Sequence, residues 1–250
     1  MTVNEKMSAI AGAIRSKTGG TDPLTLDDMA TEIPKVYDTG QTDATAAFWD
    51  AITDNGNRTF YEYAFRGSGL EYIRPRHKIT PSGCRSLSMF HDCRRLKKLE
   101  KNHVDLSGVT VSASATTTGH YNTFQRCDNL EEIEDIGFPA GGYYMTFAYC
   151  AKLHTLAVLR VNADTNFTSS FNMDYALKNI VIDGVIGRNG FNVQWSPLTY
   201  DSLMSIVNAL EDKTGDTSGT VWEITLGESN KLTLGQSGIK IAEEKGWVVS

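Results

Sequence analysis

Cysteine is scarce in this 250-residue chain, with only four residues. None sits in a C-x-x-C pair, so an ordinary zinc knuckle has no foundation here. Basic runs are equally scarce. The longest is the short stretch Arg94-Arg95 with Lys97-Lys98, in a chain of net charge −6 and pI about 5.4. Nucleic acid demands a basic stripe, so no nucleic-acid partner is expected. No apolar run approaches the ~20 residues of a membrane span, so no membrane insertion is expected. The N-terminus lacks the basic-then-apolar layout of a secretory signal, so display outside a cell would depend on a larger assembly or on lysis. Catalytic signatures are missing too: there is no H-E-x-x-H, G-x-S-x-G, Walker loop or dinucleotide glycine pattern. The sequence therefore reads as a non-enzyme with no cofactor.

What is present is a repeated cassette. It runs Phe65–Leu70–Ile73, Phe90–Cys93–Leu96–Leu99, Phe124–Cys127–Leu130–Ile133, Phe147–Cys150–Leu153–Leu156 and Phe171–Leu177–Ile180. The steps from Phe65 to Phe90, Phe124, Phe147 and Phe171 are 25, 34, 23 and 24 residues. A unit this short cannot bury its own apolar face, whereas stacked copies can. The expected fold class is an α/β repeat solenoid over residues 58–195. Cys93, Cys127 and Cys150 share one slot in consecutive copies, which suits small buried thiols. A bridge between neighbouring thiols and a three-thiolate metal site are the alternatives. Cys84 lies outside this column.

With the Leu and Ile positions inward, alternate residues point outward. One outward column is Tyr72, Lys98, Glu132, Thr155 and Asn179; the next is Arg74, Glu100, Glu134, Ala157 and Val181. The long step between Phe90 and Phe124 places about ten extra residues within Asn102–Tyr121, including His120 and Tyr121. Insertions of this kind bulge from one face and either carry recognition or form a neutral loop. The candidate recognition face is thus Tyr72, Arg74, Lys98, Glu100, Glu132, Glu134, Thr155 and Asn179, with His120 and Tyr121. Glu131, Glu132, Glu134 and Asp135 form the densest acidic cluster. A carboxylate pair could run glycoside hydrolysis, but an open strand face lacks the burial that splits two carboxyl pKa values. A calcium site there would lack the usual loop of oxygen ligands.

Residues 1–40 form a separate block. Thr2 and Glu5 give a capping-box signal, and Met7, Ile10 and Ile14 follow helical spacing. Thr25 and Asp28 open a second short helix carrying Leu26, Met29 and Ile33, closed by Pro34. Two such helices cannot make a core alone. Their apolar face either covers the first copy or engages a partner, and the hinge-like Asp38–Thr42 stretch favours assembly. Residues 41–57, with Phe48, Trp49 and Ile52, read as a helical linker or N-cap. Past Ile182 the pattern degrades. Asp183-Gly184 and Asn189-Gly190 are turn signals, and Phe191, Val193 and Trp195 alternate as a strand. A helix follows from Thr199, with Leu203, Ile206, Val207 and Leu210 on one face and Gly215 ending it. Trp222–Leu226 and Leu232–Leu234 alternate as strands, and a short helix reaches Lys245 before Trp247. Residues 196–250 are thus expected as an α+β capping unit.

The F-x-x-C-x-x-L-x-x-[IL] cassette, over about residues 63–182, resembles BspA-like (Treponema-type) leucine-rich repeats, found in bacterial surface proteins and in proteins encoded by their phages. The first copy departs by its Gly67-Ser68-Gly69 and its shorter span, the second by its insertion, and the fifth by Asp174 in the cysteine slot. Residues 7–33 resemble the N-terminal segment of tail, baseplate or fibre proteins of phages of Gram-positive gut bacteria, and residues 198–247 resemble the ends of such proteins. These resemblances imply a short leucine-rich-repeat solenoid with an N-terminal helical anchor. They imply a structural virion protein that joins other virion proteins through residues 1–40, with a homotrimer favoured, and a host surface glycan or protein as partner. A capsid-associated head fibre, a bacterial adhesin and a polysaccharide depolymerase are the competing classes.

Overall fold

The computed structural model describes residues 3–18, 65–73, 79, 86–109 and 120–250. Leu26, Met29, Ile33, Phe48, Trp49, Ile52, Arg74, Cys84 and the Met7 side chain lie outside the described residues. Helix α1 spans Val3–Thr18. Short strands follow: β1 Lys98–Leu99, β2 His120–Tyr121, β3 Glu132–Ile133, β4 Ile136–Phe138, β5 Gly141–Tyr144, β6 Thr155–Val161, β7 Thr165–Asn166 and β8 Asn179–Gly184. Then come α2 (Tyr200–Ala209), β9 (Trp222–Ile224), α3 (Glu228–Glu244) and β10 (Trp247–Val249).

Among the described residues every strand pairing is parallel, and β1, β3, β6 and β8 lie side by side in chain order. A second sheet runs β2-β5-β7. Each copy of the cassette therefore leaves one strand, turns at its phenylalanine and returns to the neighbouring strand. The five phenylalanines form one file. Ring centroids are 5.0 Å apart for Phe65–Phe90 and Phe90–Phe124, 5.8 Å for Phe124–Phe147 and 5.6 Å for Phe147–Phe171. All five are buried, as are the Leu and Ile positions of the cassette. Each such burial contributes about 1.5–3 kcal/mol, and stacked rings add to it.

Backbone bonds tie each turn to the next copy. The N–H groups of Phe65, Phe90, Phe124 and Phe147 donate to the carbonyls of Met89, Thr123, Thr146 and Ser170. Two residues after each phenylalanine the chain enters the left-handed region, at Gly67, Asp92, Arg126, Tyr149 and Met173, with φ between 59° and 67°. Two residues before it, Ser88, Asn122, Met145 and Ser169 do the same, with φ from 48° to 60°. A side chain in that region costs about 1–2 kcal/mol, yet only one of these nine positions is glycine.

The cysteine slot is a hydrogen-bonded file. Cys93 Sγ donates to Phe65 O (2.8 Å), Cys127 Sγ to Phe90 O (3.1 Å) and Cys150 Sγ to Phe124 O (3.1 Å), each one copy back. All three are free and buried thiols, and burial pushes the Cys127 thiol well up. Ser68 opens the file, with Oγ 3.5 Å from Cys93 Sγ.

The file continues past the fifth copy, where the sequence pattern stops. Thr199 N–H bonds Lys178 O, continuing the series in which Glu131 bonds Lys97, His154 bonds Glu131 and Lys178 bonds His154. That register aligns Leu198 with Leu177. The Ser196 N–H to Val193 O bond, which repeats those from Cys93, Cys127 and Cys150 to the carbonyls of their phenylalanines, puts Ser196 in the slot of Asp174 and Val193 in that of Phe171. A sixth copy is thus present with valine in place of phenylalanine. It has the same short spacing as Phe65–Ser68–Leu70.

The sixth copy enters α2 instead of a strand. Thr199 caps the helix by accepting from Ser202 N–H, as an N-cap threonine does. The helix lies along the open edge of β8, whose Ile180 and Ile182 N–H groups donate to Ser202 Oγ (2.9 Å) and Ser205 Oγ (2.8 Å). Hydroxyls thereby satisfy an edge that would otherwise template another strand. The helix ends at Ala209, well before Gly215, because Leu210 pairs with Ile186. Lys245 Nζ donates to Val207, Asn208 and Leu210 carbonyls at this end, the groups a helix leaves unsatisfied.

Three local expectations change. Leu232 and Leu234 are helical, within α3, not a strand. Leu234 is buried and Leu232 is 83 % exposed, so their spacing of two reflects opposite sides of a helix turn. Asp183-Gly184 is not a turn: both residues pair with β6, opposite Arg160 and Val161. A Cβ on Gly184 would come within 2.0 Å of Val161 O, at a φ of +122°; glycine is there for close backbone approach. Phe191–Trp195 contributes only a bridge from Asn192 to Thr225.

Ile10, Ala11 and Ile14 of α1 are buried within the chain itself. Its described exposed residues include Ser8 and Ala9.

Candidate functional site

The parallel register sets the outward face. Tyr72 lies opposite Lys98, Lys98 opposite Glu132, Glu132 opposite Thr155 and Thr155 opposite Asn179, an unbroken row across five copies. The neighbouring row is interrupted at its far end, where Ala157 and Val158 together face Val181 across an irregularity in the β6–β8 register.

Charges on this face satisfy one another. Lys98 Nζ lies 3.1 Å from Glu132 and 2.6 Å from Glu134. Glu134 also accepts from the Lys101 N–H at 3.0 Å. These carboxylates, Glu134 first, hold the Lys98 ammonium above its ordinary range. Lys98, with the Lys101 amide, in turn holds Glu134 below the usual carboxylate range. A general acid needs the opposite shift, so Glu134 is poorly placed to donate a proton. At the near end, Lys97 Nζ stands 5.3 Å over the Tyr72 ring and 3.6 Å from Glu71. At the far end, Asn179 Nδ2 donates to Thr155 Oγ1 (3.3 Å), which also lies 2.9 Å from His154 Nδ1.

Glu100 turns away from the row toward His103. Its N–H donates to His103 Nδ1 at 3.1 Å, and its carboxylate lies 3.4 Å from Nε2. Burial lowers the His103 pKa. His120 and Tyr121 are not brought to this row. They form β2 of the other sheet, opposite Tyr143 and Tyr144, with the Tyr121 and Tyr144 rings edge to face at 5.6 Å.

A shallow cleft of about 210 Å³ opens elsewhere, lined by residues including Asp105, Phe138, Arg160 and Asn162. Arg160 lies across Gly137, where a Cβ would come 3.1 Å from Nε, and pairs with the buried Asp135. Among the described residues no group of three or more His, Cys, Asp or Glu side chains is arranged to hold a metal ion, and no helix is long and apolar enough to cross a membrane.

The sequence columns pass over a second exposed feature, the turn residues after each phenylalanine. Tyr149, Met173 and Trp195 fall at one position of three successive copies, with Tyr175 beside them. Their signal was a constant offset of two from Phe147, Phe171 and the unrecognised Val193.

Comparison with protein-family models, curated proteins and solved structures finds nothing that matches this chain.

Proposed function

We propose that this chain is a structural protein of a bacteriophage particle, in its tail tip, baseplate or fibre. In this reading its stacked copies are a leucine-rich-repeat solenoid that faces the host cell, and residues 1–40 join it to other virion proteins in a homo-oligomer, a trimer being favoured. The observation that carries the reading is the in-register row from Tyr72 to Asn179. A single buried spine of phenylalanines closes the interior and leaves a continuous, internally neutralised surface outside. Such a surface suits many weak polar contacts, which gain strength when several copies sit on one particle.

Because Ile10 and Ile14 are covered within one chain, the proposal places assembly on the other side of α1, at Ser8 and Ala9. The test is incorporation into particles. Ala9→Arg should leave the chain soluble and folded while removing it from purified virions; deletion of residues 1–40 should also abolish incorporation, and it takes the buried Ile10, Ala11 and Ile14 with it. Normal incorporation of both variants would overturn the assembly role. Imaging of intact particles tests the location, and density on the head instead of the tail would favour a head fibre.

A further inference from the structure

Five successive copies place one residue, two beyond each phenylalanine, in the left-handed backbone region. Gly67 and Asp92 suit that conformation; Tyr149 and Met173 do not. Burial does not account for the bulky pair either. Tyr149 is 40 % exposed and Met173 36 %, while Trp195, two beyond Val193 but outside the left-handed region, is 44 % exposed. Tyr175 is 56 % exposed. Its ring meets Trp195 edge to face at 6.1 Å and 79°, and its hydroxyl donates to Met173 Sδ at 2.9 Å. At Tyr149 and Met173 an unfavourable backbone conformation thus displays apolar side chains that the core does not use, beside the exposed Tyr175 and Trp195, and strain of this kind gathers where proteins bind.

Charge selects the partner. On the earlier copies this edge is ionic, with Arg94 3.1 Å from Asp92 and 3.7 Å from Asp128. On the later copies the flanking turn positions carry Ala151, Asn172, Ala176 and Gln194, and Lys152 and Lys178 are the exposed charged side chains beside them. An anionic polymer would be drawn to the arginines instead. A neutral sugar has the matching chemistry. The C–H face of its ring is electropositive and sits on the negative face of an aromatic ring, while its hydroxyls can pair with the Asn172 and Gln194 amides. Adjacent copies are ~4.8 Å apart, so a linear glycan laid along the stack meets a new side chain about once per sugar unit.

We propose that the ridge formed by Tyr149, Met173, Tyr175 and Trp195 binds a neutral linear glycan, which, resting on the attachment reading above, would be the host-surface ligand. The test is saturation-transfer NMR on the purified full chain with maltohexaose, cellohexaose and chitohexaose, and with oligogalacturonate as an anionic control. Transfer to at least one neutral oligomer is expected, falling at least tenfold in Tyr175→Ser/Trp195→Ser and in Trp195→Lys, and persisting in Trp195→Phe and Arg94→Gln. No transfer to any neutral oligomer, transfer to the anionic one alone, or transfer that survives both ridge variants overturns the proposal. So does sedimentation showing a wild-type oligomer that the ridge variants dissociate, which would assign the ridge to a second copy. Glycan binding by a chain found on no particle would support the ridge and sink only the attachment reading.

Discussion

The backbone N–H of Cys150 donates to Asp174 Oδ1 at 3.1 Å, and Asp174 occupies in its own copy the slot that Cys150 fills one copy earlier. Thiols in this slot donate to a carbonyl one copy back. An ionised carboxylate has no proton to donate, and Asp174 Oδ2 is buried without a hydrogen-bond partner.

Burial raises the Asp174 pKa well above the usual carboxylate range, and the nearby Cys150 thiol adds to the shift. A carboxyl whose folded pKa exceeds its unfolded value of about 3.9 contributes its full stability below that value. The contribution is lost as pH rises toward the folded pKa. Urea unfolding of the wild type should therefore show stability declining from about pH 4 toward neutrality on account of this residue. Asp174→Ser, which restores the residue type of Ser68 and Ser196, should remove that decline and be more stable by about 1–3 kcal/mol at neutral pH, the usual cost of an unsatisfied buried polar group. Identical pH profiles for the two proteins would show that Asp174 finds a partner in solution.

Phe124 lies between Phe90 and Phe147, at 5.0 and 5.8 Å, and is fully buried. Phe124→Ala should cost about 3–5 kcal/mol in chemical denaturation, because neighbouring copies are held apart by their backbone ladders and cannot collapse onto the cavity. A cost below about 1 kcal/mol would mean that the file is not a close-packed spine.

Asn230 joins α3 to the sixth copy. Its amide Nδ2 donates to the Val193, Ser196 and Leu226 carbonyls, and its Oδ1 accepts from Leu198 N–H. Asn230→Leu removes these four hydrogen bonds from a buried site, where Leu198 N–H, Ser196 O and Val193 O keep only their backbone bonds, and should lower stability by about 2–4 kcal/mol. Hydrogen exchange should then speed up in α3, β9 and β10 ahead of the copies around Phe124. Uniform acceleration along the chain would argue that the terminal unit does not open separately.

Tyr149 holds a φ of 65°. Asparagine tolerates that region by bonding locally, so Tyr149→Asn should leave thermal stability unchanged or raise it by up to about 1 kcal/mol, though a buried aromatic would lose several. A loss above about 2 kcal/mol would show that the Tyr149 ring supports the fold and is not there for display.

The cassette's inward positions and the row Tyr72–Lys98–Glu132–Thr155–Asn179 were legible because a strand alternates with a strict period of two and each phenylalanine restarts the count. The sixth copy was not legible. Val193 has too little volume to look like the preceding phenylalanines, and its alignment shows only in the bonds from Ser196 to Val193 and from Thr199 to Lys178. Leu232 and Leu234 misled for a related reason, since two leucines two apart satisfy a strand and a helix equally over so short a window. The ridge escaped because it belongs to turn positions, where residue type normally follows backbone need and here does not.

Composition and spacing alone determined which side chains are buried and which stand in one row, because both follow from apolar surface leaving water at a regular interval along the chain. Tertiary contact decided the rest: where the stack ends, that serine hydroxyls close its edge, that Lys98 neutralises two glutamates, and that His120 and Tyr121 belong to another sheet. Those outcomes depend on groups 20–40 residues apart arriving within hydrogen-bond distance, and no local pattern records which of them will meet.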